Sequence, residues 1–176
     1  MCDTLAHQSW YRIHSPQPLR MVTVQNQFHT TDWMLRDARF LVLPALKFPR
    51  PGDQIPELNH YLCYEAFGDT IHIPVRLVDQ FGTATVAVIQ PRLFCNPCKK
   101  QTAAGDVYPI VDPLAHLTVY QVDPPLSYQI QVFMRDQFIE TPLMLYESRL
   151  LAVPAMKLEV LQPDMSEWNR IRALYE

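Results

Sequence analysis

The sequence predicts an all-β fold in which three repeats form a pseudo-threefold, β-trefoil-like barrel followed by a short C-terminal helix. Three observations lead to this prediction. Equivalent residues recur three times, at almost fixed spacing, along the 176-residue chain. Apolar residues within each repeat alternate with the period of two that places them on one face of a strand. Sixteen prolines against four glycines argue against long helices, because proline interrupts them.

The repeats are marked by an Asx-Gln-Phe motif. An arginine, a proline and a lysine follow each motif glutamine at 12, 17 and 20 residues, and a His-x-x-x-Tyr pair begins 20 or 21 residues before it. The matched columns are Asn26, Asp79 and Asp136; Gln27, Gln80 and Gln137; Phe28, Phe81 and Phe138; Arg39, Arg92 and Arg149; Pro44, Pro97 and Pro154; Lys47, Lys100 and Lys157; His7, His60 and His116; and Tyr11, Tyr64 and Tyr120. Seven or more matched columns indicate copies of one unit.

This spacing divides the chain into repeat one (residues 1–53), repeat two (54–113), repeat three (114–158) and a helical tail (159–176). Each repeat offers about four short extended segments. A unit of this size cannot bury its apolar face alone, so the three share a core. Closure about a threefold axis is the most economical arrangement, and a less symmetric barrel or a row of small sheets remains open.

The Asx-Gln-Phe motif is typical of a turn. Asp or Asn favours the turn, glutamine can bond nearby backbone, and phenylalanine can anchor the core, so we assign all three residues a structural role. Within the repeats we expect ion pairs between Asp79 and Arg92 and between Asp136 and Arg149. Recurrence in every repeat favours a folding role over catalysis, because one active site needs each catalytic group once.

The tail predicts a short amphipathic helix. Asp164 or Ser166 can cap it, and apolar residues then recur at helical spacing. One interpretation is that the helix covers an open end of the β core. The alternative is that Trp168, Ile171 and Leu174 dock a protein partner.

Three segments of repeat two carry a resemblance to a known family: His60-Tyr61-Leu62-Cys63-Tyr64-Glu65, Val78-Asp79-Gln80-Phe81-Gly82 and Pro91-Arg92-Leu93-Phe94-Cys95-Asn96-Pro97. They resemble DUF7450, a bacterial repeat family of unknown function in which such units recur in tandem, largely in exported proteins. The resemblance covers almost the whole chain except the tail and brings no activity with it.

The resemblance also implies a disulfide. The family repeat carries two cysteines, which repeat two keeps as Cys63 and Cys95. Repeats one and three replace both cysteines together by apolar residues, as expected if the two positions touch in the interior. We therefore predict a Cys63–Cys95 bond in an oxidising compartment.

Two further arrangements could carry chemistry. Cys95 and Cys98 have the Cys-x-x-Cys spacing of redox and metal sites, but they lie in a strand-like segment, which favours a structural role for Cys95. Under threefold symmetry His7, His60 and His116 could instead bind a divalent metal near the axis. The structural interpretation, in which each histidine starts a strand, is favoured, and we expect no metal and no other cofactor.

Function is the least constrained property. A formal charge of −3 argues against nucleic acid as the partner, and no segment is apolar enough to span a membrane. We expect a non-catalytic structural or interaction module, serving as an accessory subunit of a larger protein assembly. A lectin using Trp10, Tyr61 and Tyr128 is the alternative. The expected location is cytoplasmic if Met1 is the native start, or exported if the N-terminus is processed.

Overall fold

The computed structural model describes residues 7–175, and this part of the chain is all-β apart from one short helix. The strands are β1 (His7–Ser15), β2 (Arg20–Asn26), β3 (Thr30–Lys47), β4 (His60–Phe67), β5 (Ile73–Asp79), β6 (Gly82–Cys98), β7 (Lys100–Gln101), β8 (Val107–Tyr108), β9 (His116–Arg135) and β10 (Glu140–Leu161), and the helix is α1 (Met165–Arg172). The small β7–β8 pair forms a sheet of its own in the link between repeats two and three. All other strands belong to one antiparallel sheet.

Each repeat has a hairpin whose turn is the Asx-Gln-Phe motif, as the sequence predicts. The side-chain Oδ1 of the Asx residue accepts hydrogen bonds from the backbone N–H groups two and three residues later. The distances are 2.9 and 3.3 Å at Asn26, and 2.7 and 3.1 Å at both Asp79 and Asp136. The motif glutamines therefore occupy the same turn position three times. In repeat three the two strands before the turn are continuous, as β9.

Neighbouring repeats join through the same strand pairing at both internal junctions. The end of each hairpin's second strand pairs with the first strand of the next repeat, β3 with β4 and β6 with β9. Val42 lies opposite Tyr61 at the first junction, and Cys95 lies opposite Leu117 at the second. Val42 and Cys95 occupy the same position in their repeats, and so do Tyr61 and Leu117. The two junctions therefore share one register.

The outer repeats close onto each other by a reciprocal strand exchange. The end of β10 pairs with β2, with Lys157 opposite Val24. The end of β3 pairs with β9, with Lys47 opposite Met134. Both pairs join the repeat lysine to the residue three positions before the motif glutamine, so each outer repeat gives the other the same contact.

The turns of the outer repeats are exchanged in the same way. Asn26 of repeat one donates its Nδ2–H group to the Tyr120 hydroxyl (2.6 Å) and to Thr118 Oγ1 (3.0 Å). Asp136 of repeat three accepts hydrogen bonds from the hydroxyls of Ser9 (2.5 Å) and Tyr11 (2.7 Å). Ser9 and Tyr11 are the repeat-one equivalents of Thr118 and Tyr120, so these contacts relate the outer repeats by a twofold exchange.

Repeat two takes no part in this exchange, and its sequence differs at one of the two hydroxyl positions. Leu62 stands where repeats one and three have Ser9 and Thr118, whereas Tyr64 keeps the tyrosine hydroxyl. Its own Asp79 bonds only the backbone of its turn among the contacts resolved for residues 7–175. The pairings therefore support an all-β fold with a shared core but do not confirm a threefold, trefoil-like axis.

The main core cluster surrounds Trp33, Phe94 and Tyr120, all with no exposed surface. Trp33 packs edge-on against both other rings, with centroids 6.5 Å from Phe94 and 5.4 Å from Tyr120. Their burial accounts for the apolar alternation seen in the sequence, because each ring comes from the inward face of a different repeat.

The tail helix packs against repeats one and two, with Trp168 also 5.0 Å from the Phe67 ring. Asp164 caps it by accepting hydrogen bonds from the N–H groups of Ser166 and Glu167. Trp168 and Ile171 are buried against Met34, while Leu174 stays exposed. Two of the three residues proposed for partner docking therefore belong to the core. Residues 159–161 extend β10 rather than the helix, and no helix within residues 7–175 is long and apolar enough to cross a membrane.

Gly68 marks a close approach of backbone to this core. A Cβ atom at Gly68 would lie 2.6 Å from Trp33 Cδ1 and 3.2 Å from Pro91 Cγ, closer than packed atoms tolerate. Because Trp33 is fully buried, we expect Gly68→Ala to lower the free energy of unfolding by about 2 kcal/mol. Urea denaturation measures the change, and a loss below about 0.5 kcal/mol would contradict the contact.

Candidate functional site

The repeat arginines occupy equivalent irregular positions in their strands. The register between β3 and β4 shifts around Arg39, and the register between β6 and β9 shifts around Arg92. Arg149 likewise lies at a register break of the β9–β10 pair, between Ser148 and Leu150. A bulge leaves its extra residue outside the normal pairing and turns its side chain away from the regular alternation. The same local distortion thus presents an arginine from each repeat.

All three arginines line one groove of about 500 Å³, which we call the arginine groove. It crosses the sheet from β3 to β10, so every repeat contributes to it. Between the arginines lie Glu65 and Gln121, which occupy equivalent positions on β4 and β9. The remaining side chains are mainly apolar and include Phe40, Phe67, Leu93, Leu150 and Tyr175. The lining has three arginines and one glutamate, and Asp37 and Glu147 outside the lining pair with Arg39 and Arg149.

The charge is compensated unequally along the groove. Arg39 lies 3.2 Å from a Glu65 carboxylate oxygen, and Arg36 reaches the other oxygen of that carboxylate at 2.8 Å. Arg92 instead donates to Gln121 Oε1, a neutral amide, with its Nε at 3.0 Å. Because glutamine replaces glutamate at this position, Arg92 has no carboxylate partner within residues 7–175.

The predicted ion pairs between Asp79 and Arg92 and between Asp136 and Arg149 do not form. The two aspartates are engaged at their turns, and the arginines lie on the strands beyond them. Arg149 pairs with Glu147 two residues earlier on the same strand. The sequence shows the arginine column, but the bulges that gather these side chains in one groove have no signature in the spacing.

The repeat histidines have separate environments. His60 packs 5.2 Å from the Tyr108 ring, and burial together with the Lys100 charge lowers its pKa. His116 stacks 5.5 Å from Phe94, and burial also lowers its pKa. His7 begins β1. Within residues 7–175 no group of three or more His, Cys, Asp or Glu side chains is placed to hold a metal ion.

The cysteines of repeat two form a cross-strand pair. Cys63 and Cys95 lie opposite each other on β4 and β6, are fully buried and are joined by a disulfide. Cys98 is a free thiol whose pKa is raised by burial, the opposite of an activated cysteine. The Cys-x-x-Cys spacing therefore does not form a redox pair in this structure.

The aromatic residues considered for sugar stacking have neighbours within the protein. Tyr61 is buried, Trp10 packs edge-on against Phe40 at 5.9 Å, and Tyr128 contacts Phe81 at 5.5 Å. They do not recur as equivalent open platforms. Phe40, Phe67 and Tyr175 share the lining of the arginine groove, and Phe81 and Tyr128 share a second, smaller cavity.

These features define an all-β protein in which one recurring motif forms the same turn three times and one arginine column lines a shared groove. The family model described as "Repeat of unknown function (DUF7450)" matches residues 7–154. The chain therefore belongs to the DUF7450 repeat family. No curated protein and no solved structure matches it.

Proposed function

We propose that this protein is a non-catalytic interaction module, an accessory subunit of a larger assembly, and that the arginine groove binds an acidic segment of a protein partner. The observation that carries the proposal is the meeting of Arg39, Arg92 and Arg149, one from each repeat, in a single groove. A side chain that recurs in every repeat can make the same contact several times along an extended partner. A catalytic site, by contrast, uses each of its groups once.

The chemistry of the groove supports an acidic peptide. Arginine presents a planar fork of donors that binds carboxylates bidentately. Arg92 is best placed for this, because Gln121 leaves its charge uncompensated and the ring of Tyr175 lies 5.7 Å from its guanidinium carbon. The floor formed by Phe40 and Leu93 suits apolar side chains next to the acidic ones. Successive arginines come from every second strand, about 10 Å apart, which is about the length of three residues of an extended peptide laid across the sheet.

The test uses a fluorescein-labelled peptide with a glutamate at every third position and leucines between them, with binding followed by anisotropy at low salt. We expect Arg92→Gln and Gln121→Glu each to weaken binding at least tenfold. The first variant removes the positive charge. The second keeps the arginine but gives it a carboxylate partner, as Glu65 does for Arg39. Affinity should also fall as salt rises, because the contacts are ionic.

Arg76→Gln is the matched control, because it removes the same charge from an exposed position of β5 outside the groove. Its affinity should stay within twofold of the wild type. Equal losses in Arg76→Gln and Arg92→Gln would show that only net charge matters and would refute the site. Tighter binding to a DNA duplex than to the peptide would assign the groove to nucleic acid instead.

We also propose that the three units arose as tandem copies of one building block and close into a barrel through the exchange between the outer repeats. The shared turn and the repeated junction register support this. The Cys63–Cys95 bond supports the exported setting over the cytoplasmic one, because disulfides persist in oxidising compartments. Alkylation of the native protein followed by mass determination would measure the bond directly.

A further inference from the structure

The last repeat leaves one strand edge unpaired where the other two repeats form a junction. The ends of β3 and β6 each pair on one side with the first strand of their own repeat and on the other side with the first strand of the next repeat. Within residues 7–175, residues 148–153 of β10 pair with β9 alone. The pairing of β10 with β2 begins only at Ala155. We call residues 148–152 the open edge.

Side chains of the open edge are exposed where their equivalents are covered. Val42 of β3 and Cys95 of β6, each with a paired strand on both sides, have no exposed surface. Ala152, at the same position of repeat three, is exposed. Leu150 is 43% exposed, whereas its equivalent in β6, Leu93, is 4% exposed. An additional strand beside β10 would cover these side chains, as the strand of the next repeat does at the two internal junctions.

Arg149, also on the open edge, lacks the contact that the next repeat gives to Arg39. Arg39 lies 3.6 Å from Asp37 on its own strand and 3.2 Å from Glu65 on β4. Arg149 pairs with Glu147, the equivalent of Asp37, and within residues 7–175 it has no carboxylate partner from a following strand. A carboxylate on an added strand, at the position of Glu65, would complete the same arrangement around Arg149.

The two strands that fill this place at the internal junctions show what fits it. They present Tyr61-Leu62-Cys63-Tyr64-Glu65 from β4 and Leu117-Thr118-Val119-Tyr120-Gln121 from β9. In both segments the first and third residues lie opposite apolar residues of the preceding repeat, the fourth is tyrosine, and the fifth contacts the repeat arginine. The same register places Ala152 and Leu150 opposite the first and third residues of an added strand.

The first strand of a second copy of this chain does not have this pattern. Its corresponding residues are Gln8-Ser9-Trp10-Tyr11-Arg12. Arg12 takes the position of Glu65 and Gln121, so pairing this strand with the open edge would bring Arg12 next to Arg149. Like charges on neighbouring strands destabilise the pairing. The open edge therefore favours a strand from a different protein over a second copy.

We propose that the open edge accepts an extended segment of a partner protein by β-strand addition, with an acidic side chain of that segment contacting Arg149. Backbone hydrogen bonds along β10 hold the added strand, apolar side chains cover Ala152 and Leu150, and the carboxylate fixes the register. This inference goes beyond the binding proposed for the arginine groove. The added strand runs along β10 and depends on Arg149, whereas the groove peptide crosses the strands and depends on Arg92.

The probe is the peptide His-Tyr-Leu-Val-Tyr-Glu-Ala, which is the start of β4 with valine in place of Cys63. It is titrated into isotope-labelled protein while the backbone amide resonances are followed by NMR. We expect saturable shifts at residues 148–152. A second peptide with glutamine in place of the glutamate should bind the wild type about fivefold more weakly, because hydrogen bonds to a charged acceptor are stronger. Arg149→Gln should lose this preference for the glutamate peptide.

Arg76→Gln is the control, because it removes the same charge from exposed β5. It should keep the preference for the glutamate peptide. Within residues 7–175 β5 pairs with β6 alone, so the positions of the shifts also show which strand edge is used. Shifts confined to residues 73–79, an unchanged preference in Arg149→Gln, or no shift up to the solubility limit of the peptide would each overturn the proposal.

A titration of the protein alone tests the alternative occupant. We expect the resonances of residues 148–152 to stay unchanged on dilution of the protein. Concentration-dependent shifts at these residues would assign the open edge to a second copy and overturn the proposal. The test of the arginine groove uses Arg92 and Gln121 with a different peptide, so failure of one proposal can be distinguished from failure of the other.

Discussion

Replacing Cys63 by valine and Cys95 by alanine should lower the free energy of unfolding by about 3–4 kcal/mol. These two substitutions introduce the residues that repeat three has at the same positions, Val119 and Ala152. The variant therefore keeps apolar side chains where the bond is lost. The disulfide closes a loop with a sequence separation of 32 residues. Loop-closure entropy in the unfolded chain gives the expected magnitude, about 3.7 kcal/mol.

Urea denaturation of the oxidised protein, the double variant and the reduced wild type measures this effect. The reduced wild type should fall close to the double variant, because both lack the cross-link. Cys98→Ala serves as the control and should change stability by less than about 1 kcal/mol, since Cys98 is only partly buried and unbonded. A wild type whose stability does not change on reduction would contradict the bond.

Removing the carboxylate that joins the outer repeats should have an effect of similar size. We expect Asp136→Ala to lower the free energy of unfolding by about 3 kcal/mol, because it leaves the hydroxyls of Ser9 and Tyr11 without their shared acceptor. Asp79→Ala is the matched control. It removes the same turn residue from repeat two, where only backbone bonds are lost, and should cost about 1 kcal/mol. Equal losses in the two variants would contradict the exchange.

Asparagine at this position should restore most of the stability. Asn26 holds the same turn position in repeat one and donates to the hydroxyls of Thr118 and Tyr120. The Asp136→Asn protein can reverse the direction of its hydroxyl bonds in the same way. We expect its unfolding free energy at pH 7 to lie within about 1 kcal/mol of the wild type.

The two proteins should nevertheless differ in their response to acid. Burial alone would raise the pKa of the Asp136 carboxyl, but hydrogen bonds from Ser9, Tyr11 and the turn N–H groups outweigh it and hold the pKa below its usual value. The folded pKa is thus lower than the unfolded one, so the ionised carboxylate contributes fully above about pH 4. That contribution is lost as pH falls through the folded pKa. Unfolding free energies from pH 7 to pH 2.5 should decline more steeply for the wild type than for Asp136→Asn.

Local features of the fold could be predicted because they depend on nearby residues. The Asx-Gln-Phe turn needs only an acceptor side chain and the next few N–H groups. The tail helix needs a capping residue and apolar spacing. The Cys63–Cys95 pairing followed from the coupled replacement of both cysteines in the other repeats, and the structure places the two residues directly opposite each other.

The exchange between outer repeats could not be predicted from spacing. Threefold recurrence suggested three equivalent contacts, but the contact uses a hydroxyl from Ser9 or Thr118 as well as one from a tyrosine, and Leu62 lacks the first. The difference is visible in the sequence at this one repeat position, and its meaning becomes clear only once the turn is known to dock there. The grouping of the arginines depends on strand bulges, so it has no local signature.

The reciprocal closure also determines when the protein can finish folding. During synthesis β2 emerges early, but one of its edges pairs with β10. Val24 therefore stays unpaired on that edge until Lys157, 133 residues later, has been synthesised. Until then the nascent chain carries an unpaired strand edge, which is open to aggregation. Ribosome-bound chains that stop before β10 should therefore need a chaperone more than the completed protein does.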